Sequence, residues 1–333
     1  MWKKKAALCY MVAPLRYDRD SRLGYRILPM LRSLLCLLLL LSFTAQARTL
    51  EVGEAKAFKV PSAAAAVAQD GDRIAIQPGS YFDCAVWNAN NLVIEGVGDS
   101  DKVVVTDKTC QGKALFVTVG DGIEVRNLTL TRARVPDGNG AGIRAEGRNL
   151  TVAGVRFVNN QNGIMSGTVG GTVTIRDSLF DRNGVCESYC SHGIYFGSVD
   201  LLRVNNSRFT GTKQGHHIKS RARRTEVTGC TIEDGPDGTA SFSIDIPNGG
   251  SLLVRGNMLQ KGPKSENHSA MISIGAEGVT QPTAEIVIED NTARSDGHWD
   301  TYFLNNITAT QALLRGNRLS GALKPLRGDG QVR

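Results

Sequence analysis

Between about residue 50 and its C-terminus the sequence has no Pro- or Ser-rich stretch that reads as a linker, so its 333 residues are expected to hold one domain around one core. It also has almost no net charge once its first 47 residues are set aside. Eight of the 39 Lys/Arg and two of the 32 Asp/Glu lie there, leaving 31 basic against 30 acidic residues. Six of the seven units of formal positive charge therefore lie in those first 47 residues, and the remainder lacks the basic surface that a nucleic-acid partner requires. Helical segments between the apolar stretches are missing too, which argues against βαβ units. No second cysteine or histidine pair supports Cys186-x-x-x-Cys190 at a metal-binding spacing, so a disulfide is favoured there over a metal.

What is present at the N-terminus is a basic start, an apolar run from Ser33 to Phe43, and then Thr44-Ala45-Gln46-Ala47. This pattern reads as a secretory signal peptide cleaved before Arg48; the run is too short for an ordinary membrane span. Residues 48–333 are then expected to be periplasmic or secreted and monomeric, with no stable membrane span. Met30-Leu31-Arg32 already makes a sufficient charged start, which makes Met30 a candidate initiator. Export places Cys84, Cys110, Cys186, Cys190 and Cys230 in an oxidising compartment. The expected pairs are Cys84 with Cys110 and Cys186 with Cys190, with Cys230 a buried filler.

The informative feature of the remainder is a recurring phrase: alternating apolar residues, a small or Asn residue, then a second short apolar strand. Copies include Ile123-Glu-Val125-Arg-Asn127-Leu-Thr-Leu130, Val173-Thr-Ile175-Arg-Asp177-Ser-Leu-Phe180 and Leu252-Leu-Val254-Arg-Gly256-Asn-Met-Leu259. Aligned on Val125, Val152, Ile175, Val204, Val227, Val254, Ile288 and Leu314, they recur every 23 to 34 residues, the length of one solenoid coil with loops of variable size. The period of two within each phrase specifies strands. No coil buries its apolar face alone, so coils must stack with like positions in ladders. One such ladder, Cys230, Asn257, Asn291 and Asn317, is expected to bond the backbone of neighbouring coils.

Residues 61–69, with Ala63 to Ala66, form a short helix suited to covering the first coil, followed by Gly71-Asp-Arg-Ile-Ala-Ile-Gln-Pro-Gly-Ser-Tyr81. Together with the Asn-capped coils, this resembles the pectin-lyase-like right-handed β-helix superfamily over residues 50–325. The fold expected is thus all-β: a right-handed parallel β-helix with an N-terminal capping helix. The resemblance implies a carbohydrate-active protein with a polysaccharide partner, although fold alone does not fix an activity.

A third strand per coil aligns on Ile143, Ile164, Ile194, Ile218, Ile244, Ile272 and Phe303. Alternation then puts Arg144, Met165, Tyr195, Lys219, Asp245 and Ser273 in one exterior column, and His217, Ser243 and Tyr302 in a second. His216 is expected inward or at a turn. Loops 181–191, 233–241 and 260–270 border this strand and make it the natural groove. The segment Gly215-His-His-Ile-Lys-Ser220 is similar to the Lys-Ser strand of the alginate lyase and chondroitinase B family, which cleaves uronate chains by β-elimination. The resemblance implies Lys219 as base. The family's arginine acid on the next rung is replaced by Ile244-Asp245-Ile246-Pro247, so Tyr195, His217 or Arg221 must supply the acid.

Arg144, Asp245, His268 and Trp299 are candidate substrate contacts; simple packing is at least as good a reading for Trp87 and Trp299. The rival reading of Tyr195, Lys219 and Asp245 is an ordinary surface ladder. No cofactor is expected, and calcium on Asp245 alone would lack the several oxygen ligands it takes. A uronate epimerase shares the same base, a hydrolase would want two carboxylates, and a non-catalytic glycan-binding or structural envelope protein is the alternative from outside enzymology.

Overall fold

The computed structural model describes residues 47–333 apart from 168–169 and 187–188. The expected signal peptide lies outside the described residues. The chain winds as a right-handed parallel β-helix of three sheets with twelve, ten and ten strands. Each coil gives one strand to each sheet in turn, as Leu201–Asn205, Arg208–Thr210 and His216–Ser220 do. The recurring phrase is the first two strands of a coil, and its register is as the period predicts. Val125, Val152, Ile175 and Val204 pair in succession, and the same ladder continues through Val227, Val254, Ile288 and Leu314.

The small residue within the phrase marks the corner between the first two sheets. Asn127, Asp177, Asn206 and Asp290 there adopt φ of 47 to 56°, as do glycines at 154, 229, 256 and 316 with φ near 65°. A bulkier residue would strain this left-handed backbone, so the corner admits only Asn, Asp or Gly. Beside it runs the asparagine ladder. Asn257 Oδ1 accepts the N–H of Cys230 at 2.8 Å, Asn291 Oδ1 that of Asn257 at 2.9 Å, and Asn317 Oδ1 that of Asn291 at 3.0 Å. Cys230 is the expected filler, 2% exposed, and burial pushes its thiol up to about 11.

Inside, Phe157, Phe180 and Phe209 stack nearly parallel with centroids 4.7 and 4.4 Å apart. Trp87 belongs to this core: it is 0% exposed and edge-on to Phe116, unavailable to a sugar. The capping helix spans only Pro61–Ala65, shorter than the alanine run predicts. Val67 N–H closes it tightly on the carbonyl of Ala64, and the chain enters its next strand at Arg73. Both expected disulfides, Cys84–Cys110 and Cys186–Cys190, are formed, which fits an extracytoplasmic compartment. No helix among the described residues is long and apolar enough to cross a membrane.

Candidate functional site

The third sheet carries the exterior column read from the sequence. Arg144, Met165, Tyr195, Lys219, Asp245 and Ser273 stand on successive rungs in register. Over its middle lies a cleft of about 500 Å³ lined by Met165, His192, Tyr195, His216, Lys219 and Arg221. The three long loops rim it through Tyr189, Ser241 and Glu266.

The second exterior column does not exist as expected. At the start of each third strand the chain is still turning a corner, so strict alternation fails there. Glycines at 142 and 163 mark the position: a Cβ on either would come within 2.7 Å of the Phe157 or Phe180 ring, so it faces the interior. His217 occupies the equivalent position and is 0% exposed. Its Nδ1 lies 2.7 Å from Thr212 Oγ1 and its Nε2 2.8 Å from Asp234 Oδ1, while Asp234 Oδ2 accepts the N–H of Gly262 at 2.8 Å. His217 therefore fastens two loops from beneath and does not reach the cleft. Ser243 is likewise buried. Tyr302 pairs with Ala270 and Leu304 with Ile272, so the last rung sits one residue away from the alignment on Phe303.

The same corner turns His216 outward, contrary to its expected structural place. Its ring stacks on His192 with centroids 4.9 Å apart, and its Nε2 lies 3.4 Å from Asp245 Oδ2. His192 Nδ1 accepts the N–H of His216, and His216 Nδ1 that of Phe242, so each neutral ring carries its proton on Nε2. Burial, reinforced by Lys219 and Arg221, pushes His192 down to about 3; burial, with His192 and Lys219 nearby, keeps His216 well below its ordinary value. Both are uncharged at neutral pH.

Lys219 is the hub. Its Nζ lies 3.5 Å from Asp245 Oδ2 and 2.8 Å from Oε1 of Glu277, a residue the repeat pattern gave no reason to include. Glu277 Oε2 meets Arg221 Nη2 at 2.6 Å. Burial works against the Glu277 charge, but the hydrogen bonds from Lys219 and Arg221 outweigh it and hold the carboxyl below its usual range. Arg221 also donates from Nη1 to Asn248 Oδ1, and from Nε to the Tyr195 hydroxyl at 3.0 Å. The Tyr195 oxygen thus accepts from Arg221, which leaves its own O–H free to donate into the cleft.

Asp245 is 2% exposed; burial raises its carboxyl to about 6, with Lys219 opposing and Glu277 adding to the rise. Its Oδ1 is buried without a hydrogen-bond partner. Calcium does not fit here, because the carboxylate already faces an ammonium and an imidazole N–H. Among the described residues no three His, Cys, Asp or Glu cluster as metal ligands.

The outlying candidates divide. Arg144 lies two rungs from Tyr195, beside the cleft's Asn139 and Met165. Burial lowers its pKa, and its buried Nε has no partner. His268 and Trp299 are not among the cleft's lining residues; their rings stack on each other at 3.4 Å between centroids, which covers one face of each.

The family model described as the right handed beta helix region matches residues 62–232, just over half of the chain. This chain belongs to the right-handed β-helix family. Among solved structures, the β-helix is similar to an alginate lyase from Paenibacillus sp. strain FPU-7, with TM-score 0.63 and 18% identity over 85% of this chain and 99% of that one. It is also similar to the pectate lyase Pel9A, with TM-score 0.61 and 14% identity over 86% of this chain and 78% of that one. At such identities the likeness is one of fold. No curated protein matches in sequence. The fold is thus shared with these two polysaccharide lyases.

Proposed function

We propose that the protein is a polysaccharide lyase that cleaves a uronate-containing glycan by β-elimination in the cleft of Tyr195, Lys219 and Arg221. It would act in the periplasm or after release. The observation that carries the reading is the cationic cradle: two cations, one on the strand His216–Ser220 and one just past its end, grip a single carboxylate, beside a phenol whose proton is free.

Arg221, steadied by Asn248, would neutralise the sugar's carboxylate and so stabilise the enolate that forms when the neighbouring carbon loses its proton. Lys219, once it has released its own proton to solvent, would take that proton on its neutral amine. The carbon–hydrogen electron pair becomes the new double bond, the carbon–oxygen bond to the leaving sugar breaks, and the leaving oxygen takes the proton of Tyr195. Arg144, farther along the column, would hold the chain at a distal anionic unit.

A second reading has one specific support. Asp245 is raised to about 6 while Glu277 is held down, and both lie on the Lys219 ammonium, which is the division of labour that paired-carboxylate hydrolysis uses. Incubation with a panel of uronate polymers separates the readings. The lyase gives unsaturated product that is lost in Lys219→Ala; a hydrolase gives saturated ends; a C5-epimerase exchanges the proton with solvent without cleavage; a binding protein gives none of these. Unsaturated product undiminished in Lys219→Ala would remove the lysine from the reaction.

A further inference from the structure

We propose that Glu277 is a built-in stand-in for the substrate's carboxylate: its side chain fills the anion subsite between Lys219 and Arg221, and an acidic glycan enters by exchanging its own carboxylate for this one. The proposal rests on the reading of the cleft as a uronate site and adds a mode of self-competition to it.

The geometry of the contact is that of a ligand. Each Glu277 oxygen takes a different cation, Oε1 from Lys219 at 2.8 Å and Oε2 from Arg221 at 2.6 Å, so the two cations bracket one carboxylate. Glu277 comes from outside the column. It stands 58 residues from Lys219 in sequence, on a turn that follows the strand Ala270–Ile274 two coils away. Its side chain is 46% exposed, whereas those of Lys219 and Arg221 are 11% and 25% exposed. Leaving the cradle therefore returns Glu277 to water cheaply, while the two cations stay in a confined cleft that an anion must refill.

Only the side chain needs to move. The main chain of Glu277 is fixed by its N–H on the Pro247 carbonyl at 2.9 Å, and Asn248 Nδ2 donates to the Gly278 carbonyl at 3.0 Å. Gly275 and Gly278, with φ of 89 and 92°, flank the tight turn that carries the side chain to Lys219 and Arg221 at the edge of the cleft. The exchange is thus a rotamer change on a rigid turn. A neutral sugar has nothing to offer the cradle in return, so the same contact screens substrates by charge.

The test uses calorimetric titration of the whole protein, Glu277→Gln and Glu277→Ala, with oligogalacturonate, oligomannuronate and neutral cello-oligosaccharides, together with assays of unsaturated product. Removing the competitor should tighten acidic oligosaccharides about tenfold, lower KM in step, and leave neutral ones unchanged. Acidic binding that is equal or weaker in both variants overturns the stand-in role while leaving the uronate site intact. Acidic oligosaccharides that bind neither wild type nor variant overturn both. Tighter acidic binding without unsaturated product from any form keeps the stand-in and overturns the lyase chemistry.

Discussion

Asp245→Asn should make the protein more stable in mild alkali, although it deletes a member of an ion pair. Burial raises the Asp245 carboxyl from 3.8 to about 6 despite Lys219 at 3.5 Å, so the charged form is disfavoured in the fold even with its partner present. A folded-state value above the unfolded one contributes stability that is full below about pH 4 and lost as pH rises through about 6. Over a shift of that size the loss approaches about 3 kcal/mol by pH 8. The amide has no charge to bury and removes that loss. Urea denaturation of both proteins from pH 4 to 8 should therefore give curves that diverge as pH rises, with the variant ahead by up to about 3 kcal/mol at the top of the range. Parallel curves, or a variant weaker at pH 8, would refute the reasoning and make Lys219–Asp245 a net stabilising pair.

Two further substitutions test the scaffold. His217→Ala leaves Asp234 buried without its imidazole, and should cost about 3 kcal/mol in the same denaturation experiment; a neutral result would mean that the two loops are fastened by other contacts. Asn291→Ala removes the acceptor for the Asn257 N–H and the donor to the Val254 carbonyl, and should cost about 2 kcal/mol, with faster hydrogen exchange at the Asn257 amide. Unchanged exchange there would show that the ladder adds nothing to the corner.

The coil ladder was legible because it repeats. Eight inward aliphatic residues recur, and each occurrence corrects the spacing of the last, so even the 34-residue coil from Val254 to Ile288 stays in register. The column from Arg144 to Ser273 followed from alternation alone. Alternation holds only where the strand is straight, which is why it exchanged the roles of His216 and His217 at the corner. The glycines at 142, 163 and 193, one residue before the aligned isoleucine, were the signal that this position faces inward. Glu277 carried no such signal. It sits on an insertion without counterpart in other coils, and only its reach across the rungs brings it to Lys219. The two disulfides were legible for the opposite reason: Cys186 and Cys190 share a loop, while Cys84 and Cys110 flank early strands one coil apart.

Because each strand pairs only with the two beside it, a disturbance of the ladders must be relayed rung by rung and weakens at every step. The cleft draws on residues from Asn139 to Glu266, and Glu277 reaches its Lys219 from just beyond, with complete coils on either side of that stretch. Fraying at the strands around Arg327 or Leu50 thus dissipates before it reaches Lys219. The outer coils act as buffers, and their sequence is free to drift without detuning the chemistry at the centre.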